Sequence, residues 1–458
     1  MNLNIPAQAV YILKTLQENS HRAYMAGGCV RDALMNRLPQ DWDICTSALP
    51  GEIKSCFPGE RIIETGLKHG TVTLVIGSTH FEITAWRIDG VYGDSRRPDS
   101  VEFTDNLHQD LSRRDFTVNA MAWNPDHGLV DFFGGKQDLE NKIIRCVGSP
   151  CKRFREDSLR IMRALRFSST LGFEIEENTA KALIQDSALL KKISSERIAA
   201  ELNKLICGKN TGDVLLRYTS VFCEIIPEIY PMVGFEQNNP YHHLDVWGHT
   251  VKSLTHSPAL PILRLTMLLH DVAKPLCYAE ENGIGRFFAH PKMGAAMARE
   301  ILARLRYDRV TLDIVSELIS LHRDEIPPYE KSIKSLLRQI GSEQLTRLLQ
   351  IKRADSLGKN PEKHHEMLKK LDSASDIFEK IISSGECFSL KSLAIDGNEL
   401  LSLGIPKGEQ IGLTLNKLLD MVIGGELENE KGVLVKEARF FAENQMILMQ
   451  NPGHLPAQ

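Results

Sequence analysis

Residues 24–45 read YMAGGCVRDALMNRLPQDWDIC, and no other stretch limits the possible fold as strongly. A short apolar run enters Gly27-Gly28. An amphipathic segment with Arg31 and Asp32 follows, and a second run carries Asp41 and Asp43. The order predicts strand, glycine turn, helix and strand, a geometry that presents backbone N–H groups to phosphate. Side chains two apart on a strand share a face, so Asp41 and Asp43 would aim two carboxylates at one point. Hard oxygen ligands at that spacing, beside such a turn, suit Mg²⁺ held against a nucleoside triphosphate. Taken singly, each half has an ordinary reading: Gly-Gly is a common turn and Asp-x-Asp a common solvated loop.

Together the two halves favour a nucleotidyltransferase palm. No Gly-Lys-Ser/Thr follows the glycines, which excludes a P-loop. At 458 residues, 42% hydrophobic and 25% charged, the chain is sized for about three domains of ordinary globular composition. A formal net charge of −4 leaves any nucleic-acid binding to local basic faces. Nine cysteines with no Cys-x-x-Cys pair predict a reducing cytoplasm rather than a disulfide framework. Residues 1–20 lack the apolar core of a signal peptide, and no apolar run reaches the ~18 residues a bilayer span needs. The expectation is a cytoplasmic enzyme without a membrane partner.

Hydrophobic spacing predicts an opening helix over Ala7–Glu18, with Ala9, Val10, Leu13 and Leu16 on one face. Arg61–Ile63, Thr71–Ile76 and residues 80–86 read as strands separated by glycines. Residues 87–103, RIDGVYGDSRRPDSVEF, have the composition of a mobile loop. Residues 110–123 place Arg113, Arg114, Asp115 and Asn119 before an apolar patch expected under the sheet. From Lys152 the chain becomes helical and mildly basic. Asp157, Arg160 and Arg163 fall at steps of three along one helix face, with Arg166 drifting off its edge. Leu159, Ile161, Met162 and Leu165 cover the core side. A helix end is expected over residues 204–210. Residues 390–458 read as two or three helices around Leu400, Leu413, Leu418, Val422 and Leu427, with a frayed NPGHLPAQ end.

The segments GGCVRD, DWDI, RIDGVYGDSRRP, RRDFTVNAMA, REDSLRIMRALRF and SSERIAAEL resemble, in order, those of bacterial class II tRNA nucleotidyltransferases, the CCA-adding and poly(A) polymerase family. The resemblance covers roughly residues 20–205. It implies that Gly28 and Arg31 hold the triphosphate and that Asp41 and Asp43 hold Mg²⁺ for in-line attack of an RNA 3′-hydroxyl at the α-phosphorus. Glu82, on the strand before the loop, reads equally as a third carboxylate or a buried structural glutamate.

The same resemblance makes Asp157 and Arg160 a protein template for base choice. Cytosine and adenine each offer an amino donor beside a ring-nitrogen acceptor; uracil and guanine present the reverse. An aspartate that accepts and an arginine that donates would match C and A, and a mismatch would leave buried polar groups unpaired. Arg114, Arg163 and Arg166 would then contact triphosphate or ribose. Read from the residues alone, the arginines also suit an RNA-backbone patch.

A second set of residues carries different chemistry. His249, the pair His270-Asp271, His290, His322 and Asp355 resemble the HD phosphohydrolase pattern, with enough histidines for two metals. Burying a His-Asp pair in the apolar run LRLTMLLHDVAKP is costly unless it is ligated. Imidazoles with carboxylates suit a divalent transition metal better than Mg²⁺. Metal-bound water there would hydrolyse phosphoesters, 2′,3′-cyclic or terminal phosphates of damaged RNA ends among them.

The fold expected is α+β: a nucleotidyltransferase head over 1–145, a helical neck over 146–235, an HD domain over 236–365 and a helical, tRNA-binding tail over 366–458. The function expected is addition of CCA to the tRNA 3′ end from CTP and ATP, with tRNA as partner. A poly(A) polymerase or an A-adding enzyme shares nearly all these motifs, and the loop at 87–97 argues by analogy against a C-only enzyme. From other classes, the alternatives are an HD phosphohydrolase with a vestigial head and a non-catalytic RNA-binding protein.

Overall fold

The computed structural model describes residues 5–39, 41–64, 66–90 and 101–450. They form two compact units: Met1–Pro231 with Ala259–Pro261 and Ile301–Asp308, and Met232–Pro258 with Ile262–Glu300 and Arg309–Gln458.

The first unit opens with α1 (Ala7–Glu18), which buries Ala9, Ile12, Leu13 and Leu16. Ile12, rather than the expected Val10, lies on the inner face because 9, 12, 13 and 16 follow the helical period. There follow β1 (Ala23–Ala26), α2 (Gly28–Leu34), β2 (Trp42–Thr46), α3 (Pro50–Cys56), β3 (Arg61–Ile63), β4 (Thr71–Ile76) and β5 (Thr79–Ala85). A short antiparallel ladder, β6 (Arg87–Asp89) on β7 (Val101–Phe103), comes next, then α4 (Leu107–Ser112), β8 (Met121–Asn124), β9 (Gly128–Asp131) and α5 (Gly135–Glu140). The expected loop therefore starts as a paired strand, and its remainder at 91–100 lies outside the described residues.

Seven strands pair in the order β3-β4-β5-β2-β1-β8-β9. Only β2 and β5 run parallel; the other neighbours are antiparallel. The sheet is buried on both faces, and β1 shows why. Ala23 and Met25 pack into one core with α1 and Phe57, while Tyr24 and Ala26 pack into another with Trp86 and Leu111. Period-two alternation thus serves two cores at once.

The helical part of this unit comprises β10 (Ile143–Ile144), α6 (Pro150–Glu156), α7 (Leu159–Phe167), β11 (Glu174–Ile175), α8 (Glu177–Gln185), α9 (Ser195–Ile206), α10 (Thr211–Arg217) and α11 (Thr219–Ile225). The single helix expected through 157–166 is broken. Asp157 is extended (φ −135, ψ 101), and its carboxylate accepts from the Leu159 N–H at 3.1 Å. An aspartate bonded two residues ahead offers the backbone an alternative to the helical ladder, so the helix stops and restarts. The core-side residues behave as expected: Leu159, Ile161, Met162 and Leu165 are all buried.

The second unit contains α12 (Val246–His256), α13 (Pro261–Leu269) beyond its first residue, the hairpin β12 (Tyr278–Glu281) and β13 (Ile284–Phe287), α14 (His290–Arg304) as far as residue 300, α15 (Arg309–Leu321), α16 (Glu330–Gly358), α17 (Pro361–Ser384), α18 (Gly397–Ser402), α19 (Glu409–Gly424) and α20 (Lys431–Gln450). Gly341 breaks α16 at φ 77, ψ 167, a conformation open essentially to glycine alone. Leu400, Leu418 and Leu434 share a core, but Leu413 is 54% exposed, one position off the α19 stripe. Residues 451–458, expected to fray, lie outside the described residues. No described helix is long and apolar enough to cross a membrane. All nine cysteines are free.

One ion pair joins the sheet segment of the first unit to its helices. Asp115 accepts from Nε and Nη2 of Arg163 at 2.8 and 2.6 Å, and from Nδ2 of Asn119 at 3.0 Å. Burial alone would raise this carboxyl's pKa. Arg163 and Asn119 outweigh burial and hold it well below the usual carboxylate range. Its folded pKa is depressed, so the stability it supplies is complete above the unfolded value of about 4 and drains as pH falls through the folded one. Asp115→Asn should cost about 2 kcal/mol at neutral pH, less than for a fully buried pair because Arg163 keeps partial solvent access. Urea denaturation of both proteins at several pH values checks this. The gap should close in acid below about pH 4; a gap that stays constant with pH would refute the ion-pair account.

Candidate active site and a buried histidine cluster

Gly27 ends β1 at φ 83, ψ −134 and turns the chain into α2. A side chain here would be strained by that backbone. It would also collide with Arg114, whose Nη1 lies 2.6 Å from where a Cβ would sit. The glycine therefore lets a buried guanidinium approach the turn. The helix that follows has only seven residues. Its aligned peptides contribute little, and the positive charge around the turn comes from arginines.

A cavity of about 510 Å³ opens here. It is lined by Gly27, Gly28, Arg31, Asp41 and Asp43 from the opening stretch, and by Arg114, Asp157, Arg160, Arg163 and Arg166 from further along the chain. Every head and neck residue singled out in the sequence, apart from Glu82, thus meets in one place. Asp43 lies on β2. Asp41 lies just before it, so the expected pair straddles the strand's start rather than sitting wholly within it. Glu82 pairs with Asp43 across β2 and β5 and is exposed, which removes the buried structural reading.

Burial raises the pKa of Asp43, Arg114 opposes this, and the carboxylates of Glu82 and Asp41 push it further up. A half-buried carboxylate crowded by two others, within a hard-oxygen donor set, is what a bound divalent cation would relieve. The donors therefore fit such an ion.

The arginines are held from several sides. Arg31 is buried and donates from Nη1 to Asn119 Oδ1 at 2.6 Å and from Nε to Asp32 at 2.9 Å. Arg166 pairs with Glu201 at 2.5 Å. Burial lowers its pKa and Arg163 adds to that, with Glu201 opposing. Burial would also lower Arg114, but Asp110 and other neighbours raise it. Arg160, expected to donate to a base, here donates to Glu156 Oε2 at 3.0 Å and to the carbonyls of Arg153 and Arg113 at 3.3 and 2.9 Å. The second oxygen of Asp157 faces Arg197 at 3.4 Å. With the helix broken between them, Asp157 and Arg160 sit across a turn and not along one helix face.

Sequence reasoning passed over several cavity residues. Lys204 on α9 lines the wall, as does Phe167, whose apolar character gave no signal of a polar site. Asp115 and Asn119 line it too and carry no sign of a role in the sequence, and Glu201 and Arg197, which contact the lining residues Arg166 and Asp157, lie inside SSERIAAEL.

In the second unit, two groups of side chains each bring their ligand atoms within 4.8 Å of one another: His249, His270 and Asp355, and Asp271, His290 and His322. All six expected residues are present, though placed differently from the expectation. His270 and Asp271 follow the C-terminus of α13 instead of lying within it. Three imidazoles are oriented by the backbone: Nδ1 of His270, His290 and His322 donates to the carbonyls of Met267, Phe287 and Ile319 at 2.7, 2.9 and 2.6 Å. That anchoring turns the Nε2 atoms inward: those of His290 and His322 meet at 3.3 Å with their lone pairs opposed, while that of His270, whose charged form Asp271 and Asp355 favour, lies 3.4 Å from Nε2 of His249. Converging lone pairs repel unless a cation lies between them, and this carbonyl-anchored arrangement is how metal-ligating histidines are held. Lys274 and Lys359 bond Asp271 and Asp355 at 2.7 and 2.6 Å. A larger hollow of about 830 Å³ beside Gly341 carries no such set, since Arg299 is paired with Asp313 and Gln344 with Glu317.

Residues 23–145 match the poly(A) polymerase head domain, 172–232 the probable RNA and SrmB-binding site of polymerase A, and 279–438 the putative tRNA nucleotidyltransferase domain 2. The chain is 34% identical to a CCA-adding enzyme of Lactobacillus helveticus over 94% of its own length and 96% of that protein. It is also 34% identical to a CCA-adding enzyme of Geobacillus kaustophilus, over 93% and 94%. Its fold is similar to the crystal structure of the Bacillus stearothermophilus CCA-adding enzyme in complex with CTP, with a TM-score of 0.69, 28% identity and coverage of 96% and 98%. The chain belongs to the CCA-adding enzyme family.

Proposed function

We propose that the protein adds C, C and A to the 3′ end of tRNA from CTP and ATP, choosing bases with its own side chains. The observation that carries this reading is the single cavity in which a carboxylate pair, an arginine cluster and the Asp157–Arg160 pair converge. The relatives that match over nearly the whole chain bear the name CCA-adding enzyme, which favours this reading over a poly(A) polymerase or a phosphohydrolase.

Asp41 and Asp43 would hold Mg²⁺, which supplies charge neutralisation on the triphosphate and activates the attacking hydroxyl. Gly28 and Arg31 with Arg114, Arg163 and Arg166 grip the triphosphate. Its oxygens take up the guanidinium donors that the protein's own carboxylates leave open. The RNA 3′-oxygen bonds to the α-phosphorus, the α–β bridging bond breaks, and pyrophosphate departs in line. Fixed donors cost no reorganisation as charge moves, so the protein's share of catalysis is positioning and electrostatics. Asp157 accepts from the amino group of C or A. That base displaces the long Arg197 contact at 3.4 Å, while Arg160 turns a donor to the ring nitrogen. Lys204 extends the positive wall.

Removing Asp157 should spare the phosphate grip and remove the test of the base. Asp157→Ala is expected to lose discrimination of C and A against U and G by roughly 10–100-fold, the worth of a buried hydrogen bond to a charged group. Initial rates with each of the four triphosphates on tRNA ending before, within and after CCA provide the measurement. Unchanged discrimination would sink the template role, long A tails would favour a polymerase, and phosphate release without extension a hydrolase.

The histidine cluster supports a second, separate reading: an HD-type site for two divalent transition metals held by His249, His270, Asp355, Asp271, His290 and His322. A metal bound there would supply Lewis-acid activation of water for phosphoester hydrolysis. After dialysis against Mn²⁺, elemental analysis should find two ions per chain that the His270→Ala, Asp271→Ala double variant lacks. The ions should also raise the melting temperature of the unaltered protein alone. Equal metal content in both proteins would overturn the assignment.

A further inference from the structure

Phe167 ends α7 and is 5% exposed, with its ring in the cavity wall. The guanidinium carbons of Arg166, Arg31 and Arg163 lie 3.9, 5.0 and 5.5 Å from its ring centroid. These arginines come from two elements far apart in sequence, α2 and α7, yet they converge on one ring. Phe116 and Phe167 pack edge to face, with ring centroids 5.8 Å apart and planes at 83°, which restrains the plane of the Phe167 ring.

A guanidinium uses its face and its edge for different work. Its face is attracted to the negative face of an aromatic ring, while its N–H donors all point outward in its own plane. A carboxylate in place of Phe167 would consume those donors and their charge. An aliphatic side chain would fill the volume without attracting the cations. An aromatic ring gathers like charges that otherwise repel, and takes none of the N–H donors that Asp32, Asn119, Asp115 and Glu201 leave over.

We infer that Phe167 is a positioning residue for nucleotide addition: its ring gathers Arg31, Arg163 and Arg166 without taking the N–H donors that their carboxylate and amide partners leave for the triphosphate. This deepens the function proposed above and rests on the assignment of those arginines to the triphosphate. Every triphosphate presents the same phosphates, so the ring serves CTP and ATP alike. It has no part in telling one base from another, which belongs to Asp157 and Arg160.

The test replaces Phe167 with mono-, di- and trifluorinated phenylalanine, which drains the ring's negative face while nearly keeping its shape. Steady-state kinetics are then measured on tRNA lacking its end. KM for CTP and for ATP should climb together with each fluorine, reaching roughly tenfold, with kcat changing much less and base discrimination unchanged. Phe167→Leu should show the same KM rise. Should that variant fail to fold, the fluorinated series still decides, because it preserves packing. A flat KM across the series, or a rise for one nucleotide alone, overturns the role. Arg166→Ala is run alongside. A KM rise in that variant with a flat fluorine series removes the ring's role and leaves the triphosphate assignment standing; flat KM in both removes both.

Discussion

The pairing of Asp115 with Arg163 is the constraint on which the site geometry rests. Asp115 follows α4 on the sheet side of the first unit, and Arg163 lies in the middle of α7. The aspartate also takes a hydrogen bond from Asn119, which in turn accepts from Arg31 next to the glycine turn. One buried carboxylate thus sets, through three contacts, the distance between the strand–turn–helix and the helix facing it. A carboxylate buried like Asp115 holds its geometry only if every partner is present, since an unpartnered charge in the same place is expensive. The cavity inherits that rigidity. Its walls come from distant parts of the chain, yet their spacing is set by a few short contacts and does not depend on a flexible connection.

Much of this was legible in the sequence because it is local. The strands at Arg61–Ile63 and Thr71–Ile76 and the helix at Ala7–Glu18 have the bounds read from their periodicity. Gly27 announced its turn because few other residues accept its backbone angles. The break at Asp157 was not legible. Three-residue spacing of charged side chains reads the same in a continuous helix as in one interrupted by an aspartate bonding ahead to Leu159. Phe167 was invisible for a related reason. In sequence it is one more apolar residue at the end of an amphipathic helix, and only the fold brings Arg31 over it. Non-local contacts of this kind leave no trace in spacing. The six histidine and aspartate positions were readable in advance, because His-Asp inside an apolar run is conspicuous, but their carbonyl-anchored tautomers were not.

The two clusters show how one chain prepares two kinds of charged environment. In the first unit the excess is guanidinium, with carboxylates placed to orient it. Asp115 and Glu201 each face an arginine, and Asp43 faces Arg114. Arginine cannot give up its proton at any working pH, so this environment stays positive whatever its neighbours do. In the second unit the ligands are imidazoles, whose charge depends on surroundings. Burial pushes His322 down to about 3, and His270⁺ adds to that. Asp271 and Asp355 overcome burial at His270 and raise it to about 9. Neighbouring imidazoles that disagree about a proton form a set that a cation can unify by replacing the proton.

The order of groups along α7 carries the last step. Arg160, Arg163, Arg166 and Phe167 succeed one another on a helix of nine residues, with Asp157 just before its start. The group suited to a base edge is therefore at the N-terminal end, and the groups suited to phosphate lie one and two turns on, at the 1.5 Å rise per residue of a helix. A nucleotide is itself ordered this way, base at one end and triphosphate at the other. With the roles proposed for these residues, a short helix held at Arg163 by Asp115 would keep the base-reading and phosphate-gripping groups at a set separation. The break at Asp157 then has a geometric use under the proposed base-reading role. It releases the carboxylate from the helical surface and lets it approach from the side, where its second oxygen meets only a 3.4 Å contact from Arg197. A contact that long is weak enough to exchange for a base amino group, whereas the short bonds around Arg163 are not. On the proposed roles, rigidity is placed where all incoming nucleotides are the same, and exchangeable contacts where they differ.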